Sequence, residues 1–267
     1  LDLSGCTGFA HVCLGDSHGK LEMLDVSGCT GLECLFLFGV HASTLRSLDA
    51  SACTALRQLA CDGNQLESLG VSECPALEQL DCKENRLQSL ELGGCTALQQ
   101  LRCTGNQFGS LDLSECSALE ILECSENQLG SLDFSECPAL EILKCSENQL
   151  GSLDLSECPA LTQLECNGNL IESLDLSQCT ALESTDCREN RIRSLDVTGC
   201  TALTSLYCGA NQLETLDVTD HPALRSLNCS ENQLDSLSVA RCAELRFLYC
   251  WGNVFSDLDL SGCTSLS

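Results

Sequence analysis

The feature that most constrains this chain is a unit of 21 residues that recurs along nearly its whole length. Residues 119–139 read Leu-Glu-Ile-Leu-Glu-Cys-Ser-Glu-Asn-Gln-Leu-Gly-Ser-Leu-Asp-Phe-Ser-Glu-Cys-Pro-Ala, and a near copy follows at once from Leu140. A unit this short cannot cover its own apolar side chains, so copies must stack into a solenoid in which each coil is sealed by its neighbours. A length of 267 residues ordinarily suggests one or two domains, but a fixed period overrides that expectation, because a solenoid grows by adding coils to one core. The expectation is a single domain over residues 1–267, with irregular coils over 1–44 and regular coils over 45–267. Both ends fall inside a repeat, at Leu1-Asp2-Leu3-Ser4 and at Cys263 to Ser267, which reads as a fragment of a longer chain.

With the first Leu of the unit as place one, Asn occupies place nine at every step of 21 from Asn64 to Asn253. Cys fills place six with the same step from Cys61 to Cys250, and a second Cys column runs along place nineteen, including Cys53, Cys74, Cys95, Cys158 and Cys200. In the first two coils Leu14 and Leu37 stand in the first Cys column, Ser17 and Val40 replace the Asn, and small insertions carry His18 and His41. Apolar residues at places four and six alternate with variable ones at three, five and seven, the period of a strand buried on one side. Stacked coils therefore form a parallel sheet. The Asn turns the chain, and its amide is suited to backbone groups that no ladder pairs. A second extended piece, Ser-Leu-Asp-Leu-Ser, points its Leu residues inward again, and the few residues left per coil allow only short strands or 3₁₀ turns on that side. The inward set of one coil includes Leu56, Leu59, Cys61, Leu66, Leu69, Val71 and Cys74. At roughly 1.5–3 kcal/mol per fully buried large side chain, such a coil offsets its chain entropy only when both of its faces are covered.

The pattern Leu-x-x-Leu-x-Cys-x-x-Asn-x-Leu fits the leucine-rich-repeat signature. Together with the Leu-Asp-Leu-Ser that follows, it resembles the cysteine-bearing 21-residue repeats of internalin-type bacterial surface proteins, nearly continuously over residues 45–266. The resemblance implies a leucine-rich-repeat solenoid, a curved right-handed coil with its parallel β-sheet on the concave face. It also implies an extracellular or cell-surface address and a role in adhesion or protein recognition. The chain departs from the pattern in carrying Cys at place nineteen, where many relatives carry Asn, and in its degenerate first two coils.

The formal charge is −26, from 39 acidic and 13 basic residues. That balance argues against nucleic acid or an anionic membrane as partner, since both need a basic surface, and it favours a cationic one. No stretch is long and apolar enough for membrane insertion. The 24 cysteines invite a disulfide reading, but stacked columns hold parallel side chains about 4.8 Å apart, whereas a disulfide needs converging Cβ atoms near 3.8 Å. Both columns read as free buried thiols. His221 interrupts the second column between Cys200 and Cys242, and three groups in a line do not surround a metal, so it reads as a filler of one Cys slot. His11, Cys13, Cys34 and Phe36 face outward together on the first two coils, with Cys13 and Cys34 diagonal and beyond easy bridging. Asp112, Asp133, Asp154, Asp175, Asp196 and Asp217 form a column whose environments repeat, which suits local backbone bonding and not a catalytic pair. Glu84, Glu126, Glu147, Glu189 and Glu231, at place eight, read as a solvated rim that can steer a cationic partner. No nucleophile–base arrangement or phosphate-cradling loop occurs, so neither an enzyme nor a cofactor is expected.

The informative variation lies at places three, five and seven, on the exposed side of the sheet. Its middle coils are small or charged, with Lys144 among them. Tyr207 then takes place five, and two coils later Phe247, Tyr249 and Trp251 take places three, five and seven of one strand. Aromatic and Arg side chains dominate binding hot spots because they bury much area at low entropy cost. Phe36 and Phe38 could form a smaller patch of the same kind. The sequence therefore points to a non-enzymatic module that binds a protein or glycan on its concave face. Tyr207, Phe247, Tyr249 and Trp251 serve as anchors, and Lys144, Arg188 and Arg246 set polar specificity. Two alternatives stand beside it: a structural spacer in which the aromatic strand is an intrachain junction, and an intracellular scaffold or effector, whose cytoplasmic address would keep so many thiols reduced.

Overall fold

In the computed structural model, the described residues are 1–15, 21–37 and 44–266; Ser17, His18, Phe38, Val40 and His41 lie outside them. The chain is a parallel-strand solenoid, and the described residues contain no helix. It divides into two compact units, Leu1–Pro138 and Ala139–Ser267.

In the N-terminal unit the principal sheet runs β1 (His11–Leu14), β3 (Cys34–Leu37), β5 (Gln58–Ala60), β7 (Gln79–Asp81), β8 (Gln100–Arg102) and β9 (Ile121–Glu123). On the returning side, β2 (Met23–Asp25), β4 (Ser47–Asp49) and β6 (Ser68–Gly70) form a small parallel sheet. The C-terminal unit repeats this plan. Its principal sheet comprises β10 (Ile142–Lys144), β11 (Gln163–Glu165), β13 (Ser184–Asp186), β15 (Ser205–Tyr207), β16 (Ser226–Asn228) and β18 (Phe247–Tyr249). The return strands β12 (Ser173–Asp175) and β14 (Ser194–Asp196) pair, as do β17 (Ser236–Ser238) and β19 (Asp257–Asp259). Register follows the repeat, so Leu164 faces Thr185, Thr185 faces Leu206, and Leu206 faces Leu227. Between strands the returning side is made of turns, and the described residues show no 3₁₀ segment.

The alternation of the sequence appears directly as burial. Leu143, Leu164, Leu206 and Leu227 are sealed on the inner side, while the residues flanking each of them are half-buried apart from buried Ser226. The Asn column then knits the coils together. In the C-terminal unit Asn211 Nδ2 donates to the Cys208 carbonyl at 3.1 Å within its own coil and to the Cys187 carbonyl at 3.0 Å in the preceding one, and its Oδ1 accepts the Ile192 N–H at 2.9 Å. Asn85 does the same in the N-terminal unit with Cys82, Cys61 and Leu66. Each Asn thus satisfies buried backbone groups of two coils at once. The residue before it is left-handed, a conformation that Gly adopts without cost: Gly168 has φ 68 and Gly252 φ 70, while Glu147, Glu189, Ala210 and Glu231 bear φ values of 53, 56, 53 and 52.

The two thiol columns differ in chemistry. At place six, burial alone pushes Cys124 up to about 12, and burial reinforced by the Asp186 carboxylate does the same for Cys187. At place nineteen the thiols also donate: Cys95 Sγ to the Val71 carbonyl at 3.1 Å, Cys200 Sγ to Leu176 at 3.2 Å and Cys242 Sγ to Val218 at 3.3 Å. His221 follows the same rule, with Nε2 2.9 Å from the Val197 carbonyl. Because that partner can only accept, the ring carries its proton on Nε2, and Nδ1 is buried without a partner. On the returning side, Asp154, Asp175 and Asp217 accept the N–H two residues on, from Ser156, Ser177 and Thr219. The hydroxyl of Ser177, followed by its N–H, holds Asp175 below its ordinary carboxylate value, and for Asp154 and Asp217 the N–H and then the hydroxyl of Ser156 and Thr219 do the same. The Asp column is thus a ladder of local turns.

Candidate functional site

The sheet face of the C-terminal unit is a grid, with places three, five and seven along each strand and one rung per coil. Successive side chains on one face stand about 6.6 Å apart along a strand, and neighbouring strands lie about 4.8 Å apart. Place five reads Lys144, Glu165, Asp186, Tyr207, Asn228, Tyr249 across six strands, since Asp186 pairs with Tyr207, Tyr207 with Asn228, and Asn228 with Tyr249.

The first half of this row is charged and self-paired. Lys144 Nζ lies 3.5 Å from Glu165. Arg188 forks onto Asp186, with Nε to Oδ1 at 2.9 Å and Nη2 to Oδ2 at 2.6 Å. The same guanidinium lies over the Tyr207 ring, 5.6 Å from its centroid. Arg188 thus touches a carboxylate of its own strand and an aromatic ring of the next. The structure therefore groups Asp186, Arg188 and Tyr207 into one cluster, and Asp186 is the member that the sequence reading passed over.

The second half is aromatic and exposed. Phe247 is 50 % exposed, Tyr249 48 % and Trp251 62 %, all three along β18 and the residue that closes its alternation. Between them and Tyr207 lies the rung of β16, where Ser226, Asn228 and, just past the strand, Ser230 are short. Asn228 Oδ1 accepts both the N–H and the hydroxyl of Ser230, at 3.1 and 2.7 Å. Gly209, in the neighbouring rung, leaves room for that pair: a Cβ there would stand 2.9 Å from Asn228 Oδ1 and 3.0 Å from Ser230 Oγ. The result is a low floor one rung wide, walled by Tyr207 on one side and by the aromatic strand on the other. Arg246 stands at place two, one residue ahead of β18, where its N–H donates to the Arg225 carbonyl at 2.9 Å. It belongs to the rim of the face.

Elsewhere the surface offers shallow depressions on the returning side. One of about 470 Å³ is lined by Thr215, Asp217, Thr219, Ser238, Asp257 and Asp259; its Asp217 and Asp259 are already engaged in local turns. Among the described residues no three His, Cys, Asp or Glu side chains gather as a metal site, and no helix is long and apolar enough to cross a membrane. In the N-terminal unit His11 pairs with Cys34 and Cys13 with Phe36, which leaves the two thiols diagonal. All of the cysteines are free.

The model of two leucine-rich-repeat copies matches residues 138–178. No curated protein matches the sequence. Among solved structures, the chain resembles the functional domain of InlJ from Listeria monocytogenes, which includes a cysteine ladder, with a TM-score of 0.80 at 24 % identity over 97 % of this chain and 62 % of that one. YopM from Yersinia enterocolitica gives 0.73 at 26 % identity over 92 % of this chain and 52 % of that one. The LRIM1/APL1C complex gives 0.66 at 20 % identity, covering 84 % and 48 %. The chain therefore spans less than two thirds of the length of each of these proteins. The matched repeat model, the recurring Asn and Cys columns and the likeness to InlJ agree on what it is: a leucine-rich-repeat solenoid of cysteine-bearing 21-residue coils, internalin-like in fold.

Proposed function

We propose that this chain is a non-enzymatic recognition module that binds a protein partner on the sheet face of its C-terminal unit. Tyr207, Phe247, Tyr249 and Trp251 are its anchors, and Arg188 holds Tyr207 in place. Lys144 and Arg246 contribute polar contacts at the far end of the row and at the rim. The observation that carries this reading is three large aromatic side chains, each about half or more exposed, side by side on one strand. Exposed aromatic area on a rigid strand is the material of interface hot spots and costs solubility if nothing covers it. Structures of the same fold include a complex of two chains, LRIM1/APL1C, and a plant peptide hormone receptor bound to its peptide, which supports repeat faces as places where proteins dock.

The module acts as one continuous domain in this reading, since the 21-residue step runs unbroken through Pro138 and Ala139. Its address is extracellular or cell-surface, as the internalin resemblance implies. The buried thiols do not require a reducing compartment, because the thiolate is the reactive form and burial keeps them protonated. The test is affinity capture from mucus, matrix and bacterial-surface extracts, comparing wild type with a Tyr207→Ser/Tyr249→Ser/Trp251→Ser variant whose unfolding midpoint is checked. A protein retained by the wild type and lost by the variant supports the reading. Equal capture by both, or capture of glycan alone, refutes it.

A further inference from the structure

The aromatic strand is flanked by charges of opposite sign at its two ends. Where β18 begins, place two carries Arg225 and Arg246, both exposed, after Glu141, Thr162, Glu183 and Thr204 in the earlier coils of the unit. The two arginines occupy adjacent rungs of one rim, since the Arg246 N–H bonds the Arg225 carbonyl. Glu244 lies two residues before Arg246, so the positive end rests on the arginines as a pair. Past the end of β18, Glu231 is exposed at place eight, and its N–H donates to the Trp251 carbonyl at 2.8 Å, which puts it one rung from the indole. Between the two ends stand Phe247, Tyr249 and Trp251. A bound ligand therefore meets one positive rim and one negative rim across an apolar strip.

Building on the recognition reading above, we propose that this strip takes an extended peptide segment of the protein partner. The segment carries an acidic side chain at the Arg225/Arg246 end, a basic one at the Glu231 end and apolar residues between. Places three to seven of a strand span about 13 Å, four steps of about 3.3 Å, so the two charges of an extended ligand are four to six residues apart. A guanidinium fork suits a carboxylate, and an ammonium beside Trp251 gains both the ring face and Glu231. Neutral glycans use neither rim. A polyanion such as RNA meets Glu231 and a net charge of −26.

The probe is a set of seven-residue synthetic peptide pools with randomised apolar and hydroxyl centres. Their fixed ends are Asp and Lys in either order, Asp at both, Lys at both, or Gln at both, and they are offered to the full chain at low salt. Wild type is expected to retain one opposite-ended pool about tenfold over the Gln-ended one, with the preference shrinking towards 1 M salt, where screening acts over about 3 Å. Glu231→Arg should move the preference to pools with Asp at both ends, Arg225→Glu/Arg246→Glu to pools with Lys at both ends, and Tyr249→Ser/Trp251→Ser should abolish retention. If the rim variants leave the preference unchanged while the aromatic variant abolishes binding, the charge polarity is wrong and the face still binds. Retention that survives the aromatic variant overturns the recognition reading itself. Failure of the wild type to retain any pool overturns the peptide proposal.

Discussion

Thr185 occupies place four of β13, where the other strands of the C-terminal unit's principal sheet carry Leu, and its hydroxyl is fully buried without a hydrogen-bond partner. An unmatched buried hydroxyl costs about 1–3 kcal/mol. Thr185→Val keeps the branched shape and removes the unpaired group, so it should raise the stability by about 1 kcal/mol, read from the urea midpoint at unchanged m-value. His221 presents the converse case. Its Nε2 reproduces the place-nineteen contact that a thiol makes in the coils on either side, to a carbonyl that also accepts the Cys200 N–H at 2.9 Å. His221→Cys should therefore lie within about 1 kcal/mol of wild type, while His221→Asp, an acceptor aimed at a carbonyl, should destabilise by several times that. Circular-dichroism melts of the two variants separate these outcomes.

At the scale of the element, the Asn turn holds neighbouring coils in register. Asn211→Ala deprives the Ile192 N–H of its acceptor and the Cys187 and Cys208 carbonyls of a donor. With about 1 kcal/mol per lost bond and more for a stranded donor, the loss should reach about 3 kcal/mol in the unfolding free energy. Gln212→Ala, one residue on, should change stability by less than about 0.5 kcal/mol. That Asn does structural work could be read from its spacing alone, because one residue type at a fixed step in a solenoid implies a contact repeated between coils. The place-nineteen donors were hidden, since Cys reads equally well as a small apolar residue. So was the left-handed backbone at place eight: Glu189 and Glu231 look like surface acids in the sequence and turn out to bear positive φ as well.

At the scale of the whole molecule, some twenty neutral thiols make stability depend on alkaline pH. A thiol in the unfolded chain ionises near 9.0, whereas burial holds Cys74, Cys116, Cys187 and Cys200 at about 12. Below pH 9 both states are protonated and stability is unaffected. As pH rises from 9 towards 12 the unfolded state releases protons that the folded state keeps, so stability falls. The melting temperature should be flat between pH 7 and 8.5 and drop steeply above pH 9.5, and replacing several column Cys residues by Ala should flatten that drop while lowering the plateau. The candidate face was only partly legible at this scale. Position in the repeat placed Tyr207, Phe247, Tyr249 and Trp251 on one side, because strand alternation fixes direction. It did not reveal that Asp186 and Tyr207 both engage Arg188, since such side-chain contacts depend on rotamers and not on spacing.

The most direct test of the central claim is site-specific photo-crosslinking to the captured partner, with p-benzoylphenylalanine placed at Trp251 on the sheet face or at Asp175 on a return strand. An aromatic photoprobe preserves the character of the first site, so neither substitution should block binding. The account predicts a covalent adduct from position 251 and none from position 175. Adducts from position 175 alone would place the partner on the returning side and contradict it.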